Sequence, residues 1–232
     1  MKCAKGCFTY TAASIWPYKF VLHLLTKAIA EGGNLQTHTP VQQVSSSQDG
    51  DGYWSIATVR GTIKAKTIVY ASNAYTSALL PEYKDSIVPV RGICCRIVCP
   101  DKPTPHLPNS YSLRNSSWEY EYLVPRTDGS IILGGARSAF YPQLSSWYNV
   151  TDDSKLIDSA KNYFDGYMQR HFRGWEDSGA VVDKIWTGSE CSLPYRPSFE
   201  TVVKSSFDQS WATRPTVSLT SVQCHLSPTS TS

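Results

Sequence analysis

Two arginines set beside glycines are residues of a type that could do chemistry in this chain. Arg91-Gly92 lies within a long β-prone run, and Arg137 follows Gly134-Gly135-Ala136 at the end of another. A guanidinium offers a planar fork of donors that matches a carboxylate, so each arginine is a candidate to bind an anionic substrate. A solvated arginine at a sheet edge is the competing reading of Arg91. The third signal is the run Thr67-Ile68-Val69-Tyr70, which ends abruptly in Ala71, Ser72 and Asn73. β-branched residues favour a buried strand, and losing bulk at its carboxyl end lets backbone approach a ligand, as at the strand ends of open α/β sheets. A plain turn after a buried strand fits the same residues.

Other chemistries find no support. The five histidines, His23, His38, His106, His171 and His225, form no metal-ligand spacing. The seven cysteines, Cys3, Cys7, Cys94, Cys95, Cys99, Cys191 and Cys224, form neither a metal motif nor a disulfide framework. Cys94 and Cys95 are adjacent, so on a strand they point to opposite faces. No Ser-His-Asp set or carboxylate pair stands out, no metal is expected, and the catalytic residues stay unassigned. A net charge of +3 with no basic stripe argues against a nucleic-acid partner. No apolar run reaches the roughly 18 to 20 residues that span a bilayer, and no signal-peptide core opens the chain. An intracellular, cytoplasmic protein without membrane association is the expectation.

These residues need elements to position them. Apolar residues at Phe20, Val21, Leu24, Leu25, Ala28 and Ile29 mark one face of a helix over 17–30, stopped by Gly32-Gly33. Short strands are expected at 34–38 and 41–45, broken by Pro40, and a hairpin over 53–59 and 62–66 across Arg60-Gly61. The run 86–98 contains Pro89 and Gly92, which argue for an edge, bulge or bend. The segments 118–125 and 130–133 pair through the turn 126–129, which makes an antiparallel sheet. Helical spacing runs from Asp152 to Phe172, and 181–186 reads as a further strand. A Ser/Thr-rich stretch closes the chain, and 189–232 is expected to be irregular.

Taken in order, Trp16-Pro-Tyr-Lys19, Thr39-Pro-Val41, Gly61-Thr-Ile-Lys-Ala65, 67–80, Ile87-Val-Pro-Val-Arg-Gly92 and Ile131-Ile-Leu-Gly-Gly-Ala-Arg137 resemble FAD-dependent oxidoreductases. The resemblance is to the D-amino-acid-oxidase-like family, in particular fungal members related to glycine and sarcosine oxidases. It implies an α/β (α+β) flavoprotein, with a partial FAD-binding α/β domain at 1–80 and an antiparallel-sheet substrate domain at 81–188. By the same resemblance Val41 meets the adenine end of FAD, while Ala71, Ser72 and Asn73 run beside the cofactor. Arg91 and Arg137 would face a small-molecule amine or amino acid, whose carbon next to nitrogen gives a hydride to the flavin.

The chain departs from the family pattern at both ends. No Gly-x-Gly-x-x-Gly turn precedes the first helix, and Gly50-Asp-Gly52 lacks the third glycine and lies between two expected strands. The register is lost again after Ile185-Trp-Thr-Gly188. Truncation at both ends is the expectation. So are an exposed apolar patch, weak or absent FAD binding, and, as an alternative function, a non-catalytic remnant or partner-binding protein.

Overall fold

The computed structural model describes residues 4, 6–116, 118–192 and 202–205. It divides into two compact units, one around Pro17–Pro89 and the other around Val90–Glu190.

In the first unit, α1 (Pro17–Ala30) begins on proline, whose missing N–H costs nothing in a first turn. It ends as expected at the glycine pair: Gly32 takes φ 92° and the Gly33 N–H returns to the Ala28 carbonyl at 2.8 Å. None of its residues is buried. Phe20, Leu24 and Ile29 are among its exposed apolar side chains.

A three-stranded antiparallel sheet follows, β1 (Val41–Val44), β2 (Trp54–Thr58) and β3 (Gly61–Ala65), in that order. The β2–β3 hairpin closes as expected, with Gly61 at φ 134° and the Thr58 hydroxyl donating to the Gly61 carbonyl at 2.7 Å. The strand expected at 34–38 is absent. That segment turns at His38, which sits in the left-handed region at φ 51° and cannot continue a pleat.

The strand β4 (Thr67–Tyr70) pairs antiparallel with β10 (Val202–Ser205). It then runs through a 3-10 turn at Asn73–Tyr75 into α2 (Thr76–Leu79).

The second unit is built on a five-stranded sheet ordered β6 (Tyr111–Arg114), β7 (Tyr120–Pro125), β8 (Ile131–Gly135), β5 (Val88–Val98) and β9 (Val181–Ser192). Of the edge, bulge or bend that Pro89 and Gly92 suggested for 86–98, the edge is excluded: β5 lies inside the sheet, between β8 and β9. On the β8 side Pro89 interrupts nothing, because the ladder to β8 begins only at Ile93. Strand structure also enters the stretch expected to be irregular from 189, since β9 runs to Ser192 and β10 occupies 202–205. The remaining tail, 206–232, lies outside the described residues.

One face of this sheet is covered by 137–175, which includes α3 (Arg137–Phe140) and α4 (Tyr167–His171). The long helix expected over 152–172 is a chain of tight turns. Only 158–160, as a 3-10 turn, and α4 are helical, and Gly166 at φ 64° separates them. Ile157, Ala160, Phe164, Tyr167, Met168 and Phe172 are nevertheless all buried against Ile93, Cys95, Leu123 and Leu133. Their spacing recorded which residues face the core rather than a continuous helix.

Candidate functional site

Strand alternation puts Glu121 and Leu123 on the core face of β7 and turns Tyr120 and Tyr122 to the opposite face. On that opposite face the register aligns Ser112, Tyr122, Gly134 and Cys94 in one row across four strands. Tyr122 lies flat across Gly134: a Cβ built there would stand 2.3 Å from the tyrosine ring. The glycine therefore clears a track that lets the phenol reach the Cys94 sulfur at 2.7 Å. Cys94 and Cys95 point to opposite faces as expected, and Cys95 sits in the core, where burial pushes its thiol far up.

At the end of β8 the chain turns sharply. Gly135 has φ 134° and Ala136, fully buried, has φ 56°, a conformation rare for a residue with a side chain. A Cβ on Gly135 would approach both Glu121 and the Tyr120 carbonyl at 2.8 Å. This turn delivers Arg137, the first residue of α3, over the Tyr120 ring, with the guanidinium carbon 4.8 Å from the ring centre. The Arg137 guanidinium also donates one long hydrogen bond, 3.5 Å, to the Trp118 carbonyl.

Trp118, whose carbonyl accepts that bond, begins a row of rings. Trp118 and Tyr141 lie 5.2 Å apart, and Tyr141 stacks on Trp147 at 4.7 Å and 18°.

The turn is braced from below. Glu121 is fully buried on the core side, where its carboxylate accepts hydrogen bonds from Asn115 Nδ2 at 2.7 Å and from the hydroxyls of Tyr163 and, at 3.1 Å, Tyr167. Burial first, then the Glu121 carboxylate, pushes both phenols well above the ordinary tyrosine range. A buried carboxylate with three donors is a rigid post under the backbone that carries Arg137.

The residues singled out from sequence fare differently. Arg91 is committed to the fold: its guanidinium donates to the carbonyls of Ser146 at 3.1 Å, Asp152 at 2.8 Å and Lys155 at 2.9 Å, tying down the loop that follows α3. Arg137 lies over the Tyr120 ring and donates only a long bond, to the Trp118 carbonyl, among the described residues. Val41 in β1 and the turn Ala71, Ser72 and Asn73 belong to the first unit, where α2 lies against β1. There Asn73 takes φ 47°, the Ser72 and Thr76 hydroxyls meet at 2.9 Å, and Ala71 and Asn73 stay exposed above buried Ala74 and Thr76.

Sequence reasoning passed over Trp118, Tyr120, Tyr122 and Glu121. Their signal was present in the strict alternation Trp118-Glu119-Tyr120-Glu121-Tyr122, which lines one face with rings and the other with acids.

Among the described residues no group of three or more His, Cys, Asp or Glu could hold a metal ion, and no helix is long and apolar enough to cross a membrane.

Comparison with known proteins adds three findings. Residues 2–211 match the family model described as DAO, FAD dependent oxidoreductase. Among 20 matching chains of known structure is L-proline dehydrogenase from P. horikoshii, at TM-score 0.55 and 16% identity, covering 77% of this chain and 44% of that one. That likeness concerns the fold, and the chain spans less than half the length of that protein. No curated protein matches the chain.

Proposed function

Since the chain belongs to the FAD-dependent oxidoreductase family over residues 2–211, we propose that it serves the FAD-dependent oxidation of a small amine or amino acid. On this reading residues 1–80 contribute to cofactor binding and 81–188 form the substrate domain. Arg137 receives the substrate carboxylate and Tyr120 and Tyr122 line the approach. One observation carries the reading: Arg137 is held over Tyr120 by a strained, braced turn, yet among the described residues its guanidinium makes a single long hydrogen bond, which leaves donors of its fork for a ligand. Arg91, with its guanidinium taken up by three carbonyls, is the weaker of the two substrate candidates.

The residues present fit FAD in part. Val41 and the small-residue turn Ala71, Ser72 and Asn73 suit close approach of a flat ligand, and we assign them to the cofactor. A pyrophosphate needs converging N–H donors, as at a glycine-rich helix start. The turn at Gly50-Asp-Gly52 supplies none, because the Asp49 carboxylate already accepts the N–H groups of Asp51 at 3.2 Å and Tyr53 at 2.9 Å. A negative charge occupies the place a phosphate would take. We derive no step through the flavin for that reason, and expect the chain to bind FAD weakly, since its remaining contacts must offset the whole ordering cost of association.

The test is a titration of the purified chain with FAD, followed by flavin fluorescence, and then anaerobic addition of sarcosine, D-alanine or L-proline. Weak saturable binding, with bleaching of the flavin's visible absorbance by one of these amines, is the expected result. Absence of any saturable binding favours the second reading, a non-catalytic, partner-binding protein, which the exposed apolar side chains of α1 independently support.

A further inference from the structure

Helix α1 has 14 residues and not one buried side chain. Isolated helices of that length are marginal in water, and helices in proteins draw most of their stability from packing an apolar face. This helix has such a face. At about 3.6 residues per turn, Phe20, Val21, Leu24, Ala28 and Ile29 fall on one side of it, and Phe20, Leu24 and Ile29 are 48%, 48% and 50% exposed. A surface of this kind calls for a partner to cover it.

The other side of α1 says which kind. Lys19, His23 and Lys27 follow one another at intervals of four, so they form a row beside the apolar side. The helix contains no Asp or Glu. An apolar face flanked by cations is the make-up of a helix that lies in the plane of an anionic lipid surface, where lysine stems run along acyl chains and their ammonium groups reach phosphates. Tyr18, exposed in the first turn, has the ring type that settles at headgroup level. At a length of about 21 Å the helix can lie on a bilayer but not cross it, and no helix among the described residues is long and apolar enough to cross one. A second copy of the chain is the poorer partner, because pairing two such faces would bring two rows of like charge together.

We infer that α1 seats the protein on an anionic membrane surface, with Phe20, Leu24 and Ile29 in the acyl boundary and Lys19 and Lys27 on lipid phosphates. This goes beyond the FAD reading and does not depend on it.

Flotation of the full chain with vesicles is the test, using phosphatidylcholine alone or with about one part in three of phosphatidylserine. Capture by the serine-containing vesicles is expected to exceed capture by the others at least about tenfold and to fall with added salt. Leu24→Glu should abolish capture, and Lys19→Gln with Lys27→Gln should reduce it to the phosphatidylcholine level. Val59→Glu, at an exposed apolar side chain outside the helix, should change nothing. An unchanged Tm establishes that each variant is folded, and the wild-type arms decide the matter even where a variant is not. No capture, equal capture by both vesicles, or undiminished capture of folded Leu24→Glu overturns the inference. So does a wild-type dimer that Leu24→Glu dissociates in the absence of vesicle capture, which would give the face to a second copy. No flavin enters these arms, so their failure leaves the oxidation reading standing, and failure of the FAD titration leaves the membrane seat standing.

Discussion

Gly134 shows how much one missing side chain can decide. Its partners across the sheet are Cys94 and Tyr122, and the phenol ring occupies the volume a methyl group would need. Overpacking of this kind typically costs about 1–3 kcal/mol. Gly134→Ala should therefore lower Tm and swing Tyr122 off Cys94, so that the buried Cys94 thiol becomes reactive toward a thiol reagent in the folded protein. A variant with unchanged Tm and an unreactive Cys94 would show that the ring does not lie where we describe it. The sequence showed the glycine pair and its arginine but not the tyrosine that needs the first glycine. That dependence is a cross-strand relation between positions twelve residues apart in the chain.

Strand β9 is fastened to β5 by more than its ladder. Arg96 grips Asp183 through both carboxylate oxygens, with Nε at 2.9 Å and 3.0 Å, and each side chain is about a quarter exposed. The Arg96 hydrogen bond, partly opposed by burial, holds the Asp183 carboxyl below the ordinary value of 3.8. A depressed folded-state value means that the stabilisation is present above pH 3.8 and is lost as pH falls through the folded-state value. Asp183→Asn should thus cost about 1 kcal/mol at neutral pH and nothing well below the ordinary aspartate range. Denaturant melts of both proteins across acidic pH check this, and a constant gap between them would refute it. The period of hydrophobic residues in 152–172 was legible, and so was their burial. The turns that deliver them were not, because Gly166 and the short 3-10 piece at 158–160 satisfy the same facing requirement without a continuous helix.

The response of the folded chain to alkali is governed by the post under the site. Tyr163 and Tyr167 both hold their protons above the ordinary tyrosine value of 10.0, chiefly through burial and with Glu121 adding to it. The unfolded chain releases these protons first. The stabilisation is therefore complete below pH 10.0 and declines as pH rises above it toward the folded-state values. Tyr163→Phe should be less stable than the parent at neutral pH, having lost a hydrogen bond to Glu121, and should lose less stability between neutral and strongly alkaline solution. Parallel alkaline unfolding curves for the two proteins would remove Tyr163 from this account.

From the sequence alone came the family, the helix at 17–30, the β2–β3 and β7–β8 hairpins and the arginine at the end of β8. Each is set by local chemistry: proline and glycine punctuation, period-two alternation, or residue order. Only the tertiary structure showed that Arg91 is engaged, because a guanidinium is tied up according to which carbonyls the fold brings to it, and those of Ser146, Asp152 and Lys155 lie more than fifty residues from Arg91 in the chain. The same holds for the exposed Trp118 and Tyr141 and the buried Glu121. Whether a ring faces water or an acid finds its donors depends on distant segments meeting, which no local pattern encodes.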